Sequence, residues 1–216
     1  MLGFDRLQEF LRKNEPGSQR HFYVLVVKEP TRDEVVGATV FSYVPATNCG
    51  FSEYILVDKQ LRSTGVGRLL FEARKEVLDV AARRHGTERC HGLFIEVEHP
   101  ERTPPELLAA ERETALDAWQ RWRIFDHLGF RRVALTYVQP PLAADKSPVD
   151  YLDLMFLPWD NAARASARIP AAWVLDTLLP IWVSWAPDTY GAHYDLLQRR
   201  LRHGDVELSP LLGSEN

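Results

Sequence analysis

A strand pattern runs into a helix pattern through a short glycine-containing loop at residues 53–71, EYILVDKQLRSTGVGRLLF. The residues before Asp58 are largely apolar and β-branched, as in a strand. The apolar positions after Gly67 repeat with the 3.6-residue period of a helix. Strands that alternate with helices in this way are typical of folds in which helices cover a sheet.

The patterns on either side of this loop extend the prediction to most of the chain. Predicted strands lie at residues 21–28, 34–44, 49–58, 92–98, 131–138 and 149–157. Predicted helices cover residues 4–13, 65–85 and, with a break inside it, 106–128. The order α-β-β-β-α-β-α-β-β predicts an α/β (α+β) fold with a mixed sheet.

The composition changes after Trp159, where a tryptophan-rich region follows the last predicted strand. Helical patterns lie there after Pro170 and at residues 189–203. We therefore predict a domain over 1–159 and an all-helical extension over 160–216. The extension is expected to pack on the domain or on a second subunit, which leaves a homodimer open, and a substrate lid is the alternative.

The charge balance argues against a nucleic-acid partner, because 26 basic and 30 acidic residues give a net charge of −4. No apolar stretch reaches the roughly 20 residues that a membrane span needs, and the first residues lack the apolar core of a signal peptide. Cys49 and Cys90 are interpreted as structural thiols in a reducing compartment. A cytoplasmic chain without nucleic-acid or membrane partners is expected.

The glycine loop has the composition of a phosphate-binding site. Arg62, Gly65 and Gly67 follow the pattern R-x-x-G-x-G where the helix is predicted to begin. A helix N-terminus leaves N–H groups without partners and carries a partial positive charge. Glycines let the backbone approach an anion closely, and Arg62 and Arg68 add cationic donors. The loop predicts a pyrophosphate cradle, and a strand–helix turn without a ligand is the alternative.

Two common nucleotide-binding signatures and the zinc signatures do not fit. A Rossmann fingerprint needs a third glycine where Leu70 stands, and a P-loop needs Gly-Lys-Ser/Thr where Arg68 follows the second glycine. No zinc spacing is matched by the neighbouring histidines and cysteine His85, Cys90, His91 and His99. No metal site is expected.

Three linked elements stand in an order that belongs to one superfamily. The strand ILVD runs into LRSTGVGRLL, the strand GLFIEVE follows, and a later helix ends in FDHLGF before another strand. With these elements, residues 20–158 resemble the GCN5-related N-acetyltransferase (GNAT) superfamily. The resemblance implies a mostly antiparallel central sheet flanked by helices. It also implies an acyltransferase that moves an acetyl group from acetyl-CoA to a primary amine of a small metabolite or peptide, by direct attack in a ternary complex.

The resemblance further implies where acetyl-CoA (CoA) binds. The backbone of Ile55, Leu56 and Val57 would bind the pantetheine arm. Main-chain amides of the loop would hold the pyrophosphate, at Arg62, Ser63, Thr64, Gly65, Val66, Gly67 and Arg68. The strand at 92–98 would splay from the third strand to leave a slot for the cofactor. Phe125, where the family usually has a tyrosine, is expected to contact the cofactor.

Carboxylates on two predicted strands are candidates for the general base. An alkylammonium with a pKa of about 10.4 must lose a proton before it attacks, and a carboxylate within hydrogen-bond reach can accept that proton. Family members often place the base on these strands, so Glu96 and Glu53 are predicted to be catalytic. Glu98 is predicted to bind substrate and is the third candidate base. Strand alternation places Glu53 on the face of Ile55 and Val57. A solvated charge at a strand end is the alternative for each glutamate.

The chain departs from the family at the general acid. Because Phe125 replaces the usual tyrosine, Tyr137 is the predicted catalytic acid, with Tyr151 and His127 as alternatives. A further alternative is that the thiolate leaves without a proton donor, since the pKa of a thiol is only about 8.5. Arg123, alone or with Arg131, is predicted to bind a carboxylate on the acceptor, and a solvated arginine is the alternative. The missing tyrosine also keeps a second function open, which is a catalytically silent acyl-CoA-binding sensor or interaction module.

Overall fold

The structure is a computed structural model that describes residues 4–15, 17–31, 33–114, 116–201 and 204–212. The chain forms two compact units, Met1–His91 and Gly92–Asn216. This division falls inside the domain predicted over 1–159, whose end at residue 159 stays a prediction. The predicted α/β (α+β) class, with mostly antiparallel strands flanked by helices, is confirmed.

The first unit is built around a three-stranded antiparallel sheet. Its strands β1 (His21–Lys28), β2 (Val35–Val44) and β3 (Cys49–Val57) pair in chain order. Helix α1 (Phe4–Arg12) precedes them, and helix α2 (Val66–Arg84) follows after a 3₁₀ turn. Each of these elements agrees with the prediction to within one residue at either end, because hydrophobic periodicity is strong here.

A β-bulge interrupts the pairing of β2 with β3 at Glu53. Val40 pairs with Tyr54, but Phe41 pairs with Ser52, so Glu53 has no residue opposite it in the ladder. The bulge breaks the alternation of side chains along β3. The expectation that Glu53 shares a face with Ile55 is therefore wrong, because the Glu53 side chain contacts Ser42 on the other face.

The described residues of the second unit form five strands, paired in the order β4-β6-β5-β8-β7. They are β4 (Gly92–Glu98), β5 (Arg131–Val133), β6 (Leu152–Pro158), β7 (Arg168–Pro170) and β8 (Asp205–Ser209). The pairs within this unit are antiparallel. Its helices are α3 (Pro105–Thr114), α4 (Ala118–His127), α5 (Asn161–Ser166), α6 (Ala171–Trp185) and α7 (Tyr190–Arg200).

Two predictions for the second unit need correction, whereas the break expected inside 106–128 is confirmed. Helix α4 begins as a separate helix, because the Asp117 carboxylate caps it by accepting from the backbone N–H of Trp119 at 3.0 Å. The strand predicted over 131–138 ends at Val133, since the chain then leaves the ladder. The region after residue 159 is not all-helical, because it adds β7 and β8 to the sheet. In the predicted helix 189–203, residues 202 and 203 lie outside the described residues.

The tryptophan-rich helix α6 covers part of this sheet. Val174, Leu178, Ile181 and Trp182 form its buried face. The Trp173 ring lies 6.2 Å from that of Phe156 on β6. Within the described ranges, every helix is too short or too polar to cross a bilayer.

Candidate functional site

The glycine loop forms an exposed turn at the start of α2. Gly65 is the N-cap residue and has φ +96°, which is strained for any residue with a side chain. The carbonyl of Gly65 accepts the N–H of Leu69 at 2.9 Å. The N–H groups of Val66, Gly67 and Arg68 come before this first helical bond, so the helix itself supplies no carbonyl for them. The turn therefore offers backbone donors to an anion.

The space around these glycines is open. A Cβ placed on Gly65 would meet nothing within 4 Å, and one placed on Gly67 would meet only Val57 Cγ2 at 3.7 Å. Ser63 and Thr64 are exposed, and Ser63 also has a positive φ of 64°. The predicted cofactor residues Arg62–Arg68 thus lie together in one turn. This geometry fits the close approach of a phosphate to the backbone.

The cationic side chains and the strand before the loop differ in how far their residues are exposed to solvent. Arg68 is 81% exposed and pairs with Glu72 at 2.7 Å, so part of its charge is already compensated. Arg62 is half-buried. Leu56 is 60% exposed, whereas Ile55 and Val57 are half-buried. Their backbones pair with β2 at Thr39, Ala38 and Gly37.

Glu53 lies in a buried polar cluster of the first unit. Its Oε1 accepts a hydrogen bond from Ser42 Oγ at 2.7 Å and lies 3.3 Å from Arg20 Nη2. The side chain is 0% exposed. Burial raises the pKa of Glu53 to about 7, although the charge of Arg20 opposes the rise. Because its carboxylate does not reach solvent, this arrangement does not support Glu53 as a base in contact with an acceptor.

Two arginines of this cluster were not predicted. Arg74 of α2 is 2% exposed and donates to Ser52 Oγ at 2.6 Å. Burial lowers its pKa to about 10. The burial of Arg74 could have been inferred from the sequence, because Arg74 is four residues from both Leu70 and Leu78 on the buried stripe of α2. No such pattern indicated the burial of Arg20, which lies over the Phe10 and Phe22 rings.

The second unit brings the predicted base Glu96 and the predicted acid Tyr137 into direct contact. The Tyr137 hydroxyl donates to Glu96 Oε1. Gln139 Nε2, which was not predicted, donates to Glu96 Oε2 at 2.6 Å. Glu96 is half-buried, whereas Tyr137 is 2% exposed. Burial, followed by the negative charge of Glu96, raises the pKa of Tyr137 well above its ordinary value.

The remaining predicted residues lie around α4. Glu98 of β4 pairs with Arg121 of α4, and the Glu98 carbonyl accepts from Trp122 Nε1 at 2.9 Å. Arg123 is exposed. Phe125 is half-buried and packs edge-on against Phe130, with ring centroids 5.2 Å apart.

No cluster of three or more potential metal-ligating side chains occurs among the residues that the structure describes.

Residues 3–104 match the model of the acetyltransferase (GNAT) family. The match confirms the resemblance over this part of the chain, which contains the glycine loop and the strand of Glu96. It supports acetyl transfer as the general activity and leaves the acceptor open. None of the curated proteins compared with the sequence matches it.

Several solved structures align with the chain at low identity. A protein from Bacteroides thetaiotaomicron described as a GNAT-family acetyltransferase is 17% identical, with 77% of this chain and 75% of that chain covered and a TM-score of 0.49. One from Bacillus anthracis strain Ames, described as a streptothricin acetyltransferase in complex with acetyl coenzyme A, is 14% identical, with coverages of 69% and 68% and a TM-score of 0.39. The ribosomal-protein-S18-alanine N-acetyltransferase from Escherichia coli is 16% identical, with coverages of 70% and 76% and a TM-score of 0.40. These alignments are too weak to transfer a substrate to this chain.

Proposed function

We propose that the chain is an N-acetyltransferase that moves an acetyl group from acetyl-CoA to a primary amine of a small metabolite or peptide. The observation that carries the proposal is the open Gly65 turn at the start of α2, inside the family match. A cytoplasmic location and a homodimer stay predictions.

The fit of acetyl-CoA rests on the backbone of the first unit. A pyrophosphate could accept hydrogen bonds from the N–H groups of Val66, Gly67 and Arg68. It could approach the backbone closely, because Gly65 and Gly67 are glycines in open space. The exposed side of β3 at Leu56 would contact the pantetheine arm. When bound, acetyl-CoA supplies the acyl group as a thioester.

Glu96 is the proposed base in this function. It would take the proton that the acceptor ammonium loses, directly or through a water. The amine nitrogen would then bond to the acyl carbon while the carbon–sulfur bond breaks and the sulfur leaves with its electron pair. The second proton that the nitrogen loses would pass to the thiolate, directly or through solvent. A thiolate is a tolerable leaving group because the pKa of a thiol is only about 8.5. The products are the acetylated amine and CoA, and the protein forms no covalent intermediate.

A thiol-release assay with acetyl-CoA and a panel of amino acids, polyamines, aminoglycosides and peptides tests the proposal. Calorimetry with CoA is run beside it on the same protein. Release of CoA that depends on one class of amine, with an acetylated product of the correct mass, would support the function. A protein that binds neither acetyl-CoA nor CoA would contradict it.

The second candidate is a silent acyl-CoA-binding module. It is favoured by Phe125 in place of the family's tyrosine and by Tyr137, whose hydroxyl hydrogen is already donated to Glu96. Neither residue then supplies a proton to a leaving sulfur. Tight CoA binding without turnover across the panel would favour this module, and turnover on any amine would exclude it.

A further inference from the structure

The segment between β5 and β6 places two donors on the Glu96 carboxylate. Tyr137 donates to Oε1, and Gln139 donates to Oε2 at 2.6 Å. Both donors are largely buried, at 2% and 8% exposure. Hydrogen bonds to an ionised carboxylate are stronger than those between neutral groups. Because each oxygen has its own donor, the carboxylate is fixed against rotation.

Backbone pairing holds this segment in place, although it forms no strand of the sheet. The Gln139 N–H donates to the Val149 carbonyl at 2.9 Å, and the Val149 N–H donates to the Gln139 carbonyl at 3.0 Å. The backbone of Gln139 is therefore fixed independently of its side chain.

Side chains of the C-terminal extension, residues 160–216, make three more contacts with the same segment. Arg200 of α7 donates from Nη1 to the Thr136 carbonyl at 3.0 Å. The Thr189 hydroxyl, just before α7, donates to the Pro141 carbonyl. The Trp182 ring of α6 lies 6.1 Å from the Tyr137 ring, and Trp182 is 1% exposed. The extension thus contacts the segment before, at and after its two donors.

We propose that Tyr137 and Gln139 are positioning residues that hold the Glu96 carboxylate, and that the C-terminal extension acts on the site by fixing the segment that carries them. The proposal rests on the proposed function for the base role of Glu96. It gives Tyr137 a different role from that of a general acid, because its only hydroxyl hydrogen is donated to Glu96.

Groups on the neighbouring elements of this unit also bear on the proton affinity of Glu96. Glu98, on the same face of β4, is paired with Arg121 of α4. The residue opposite Glu96 on β6 is the apolar Leu154. From the extension, α6 places the neutral Trp182 against Tyr137. Donors to the ionised form favour ionisation, so removing either one should raise the pKa of Glu96.

Carbon-13 NMR of protein labelled at the glutamate carboxyl carbons measures the pKa of Glu96 directly and needs no turnover. The Glu96 resonance is assigned by its loss in Glu96→Gln. Tyr137→Phe and Gln139→Leu should each raise its titration midpoint by about one pH unit, the order expected for one hydrogen bond to a charged group. The matched controls Tyr190→Phe and Gln198→Leu on α7 should leave the midpoint unchanged. An unchanged midpoint in both Tyr137→Phe and Gln139→Leu would overturn the proposal.

The activity measurement separates this proposal from the proposed function. In Tyr137→Phe, the acidic limb of the pH profile of kcat/KM should move upward with the NMR midpoint, while the affinity for acetyl-CoA is unchanged. A general acid lost at Tyr137 would instead lower kcat without moving that limb. If the wild type transfers no acetyl group but the NMR midpoints shift, the proposed function fails and the positioning roles stand.

A double variant tests the part that concerns the extension. Thr189→Val with Arg200→Met removes two side-chain bonds to the segment and should raise the Glu96 midpoint in the same direction. Arg199→Met, which removes the same charge from the neighbouring exposed position, is the control. A midpoint equal to that of the control would overturn the role of the extension.

Discussion

Arg20 and Glu53 form an ion pair that is closed off from solvent, with side chains 7% and 0% exposed and 3.3 Å between Arg20 Nη2 and Glu53 Oε1. The pair does not fully offset the cost of burying the carboxylate, since the pKa of Glu53 is about 7 rather than the ordinary 4.5. Desolvation outweighs pairing here, as it often does for buried ions. Glu53 is therefore a titrating group of the first unit.

The free energy of unfolding should vary with pH because Glu53 titrates. Because its pKa is raised on folding, the folded chain keeps a proton that the unfolded chain has released, and stability should fall as the pH rises from 4.5 to about 7. The raised pKa of Glu53 corresponds to a decrease of at most about 3 kcal/mol in the free energy of unfolding over this pH range. Glu53→Gln should flatten the slope in urea-unfolding series over this pH range. The exposed Glu76→Gln should keep the wild-type slope, and a parallel slope in Glu53→Gln would contradict the assignment.

Gly65→Asp should weaken CoA binding by at least about tenfold, because it places a negative charge where the pyrophosphate is expected. Gly86→Asp, beyond the other end of α2, is the matched control. Gly86 has φ +84° against +96° for Gly65, and a Cβ at either position meets nothing within 4 Å. The two variants thus share a similar backbone strain. Calorimetry with CoA distinguishes them, and equal affinities would argue against a pyrophosphate at Gly65.

Glu96→Gln should lower kcat for acetyl transfer on the order of a hundredfold, the range of a lost general base. Its affinity for acetyl-CoA should be preserved. Glu98→Gln, on the same face of β4, should have a smaller effect because Glu98 is already paired with Arg121. Steady-state kinetics on the identified amine measure both. A larger loss in Glu98→Gln would transfer the base role to Glu98.

Gly92→Ala should destabilise the second unit by about 1–3 kcal/mol, the usual cost of overpacking a core. A Cβ at Gly92 would lie 2.3 Å from Phe156 Cζ and 2.4 Å from the Leu157 carbonyl oxygen. Gly191→Ala in α7 meets nothing within 4 Å and should stabilise by up to about 1 kcal/mol through helix propensity. Thermal unfolding of both variants compares the same chemical change at a crowded and an open position.

The sequence predicted the first unit well, because long periodic segments determine their own secondary structure. It did not predict β7 and β8, which have 3 and 5 residues and depend on pairing with each other and with β5. Residues 134–138 have the composition of a strand, yet they leave the sheet, and Tyr137 in this stretch bonds to Glu96. Such contacts between distant segments leave no periodic trace in the sequence.

Part of the candidate site could be predicted, namely the part whose residues are close together in sequence. The glycine loop is local, so its residues could be named from spacing. The interaction partners of the two carboxylates could not be predicted, because they are distant in sequence. Arg20 is 33 positions before Glu53, and Gln139 is 43 positions after Glu96. Sequence alternation also could not reveal the bulge that turns Glu53 inward.

The place of β8 between β5 and β7 has a consequence for synthesis on the ribosome. The first unit pairs strands that are neighbours in sequence, so its sheet can form while the rest of the chain is being made. The sheet of the second unit is complete only once Asp205–Ser209 has been made, because these residues join β5 to β7. Until they emerge, the nascent chain exposes two unpaired strand edges, which are the features of a sheet most prone to aggregation.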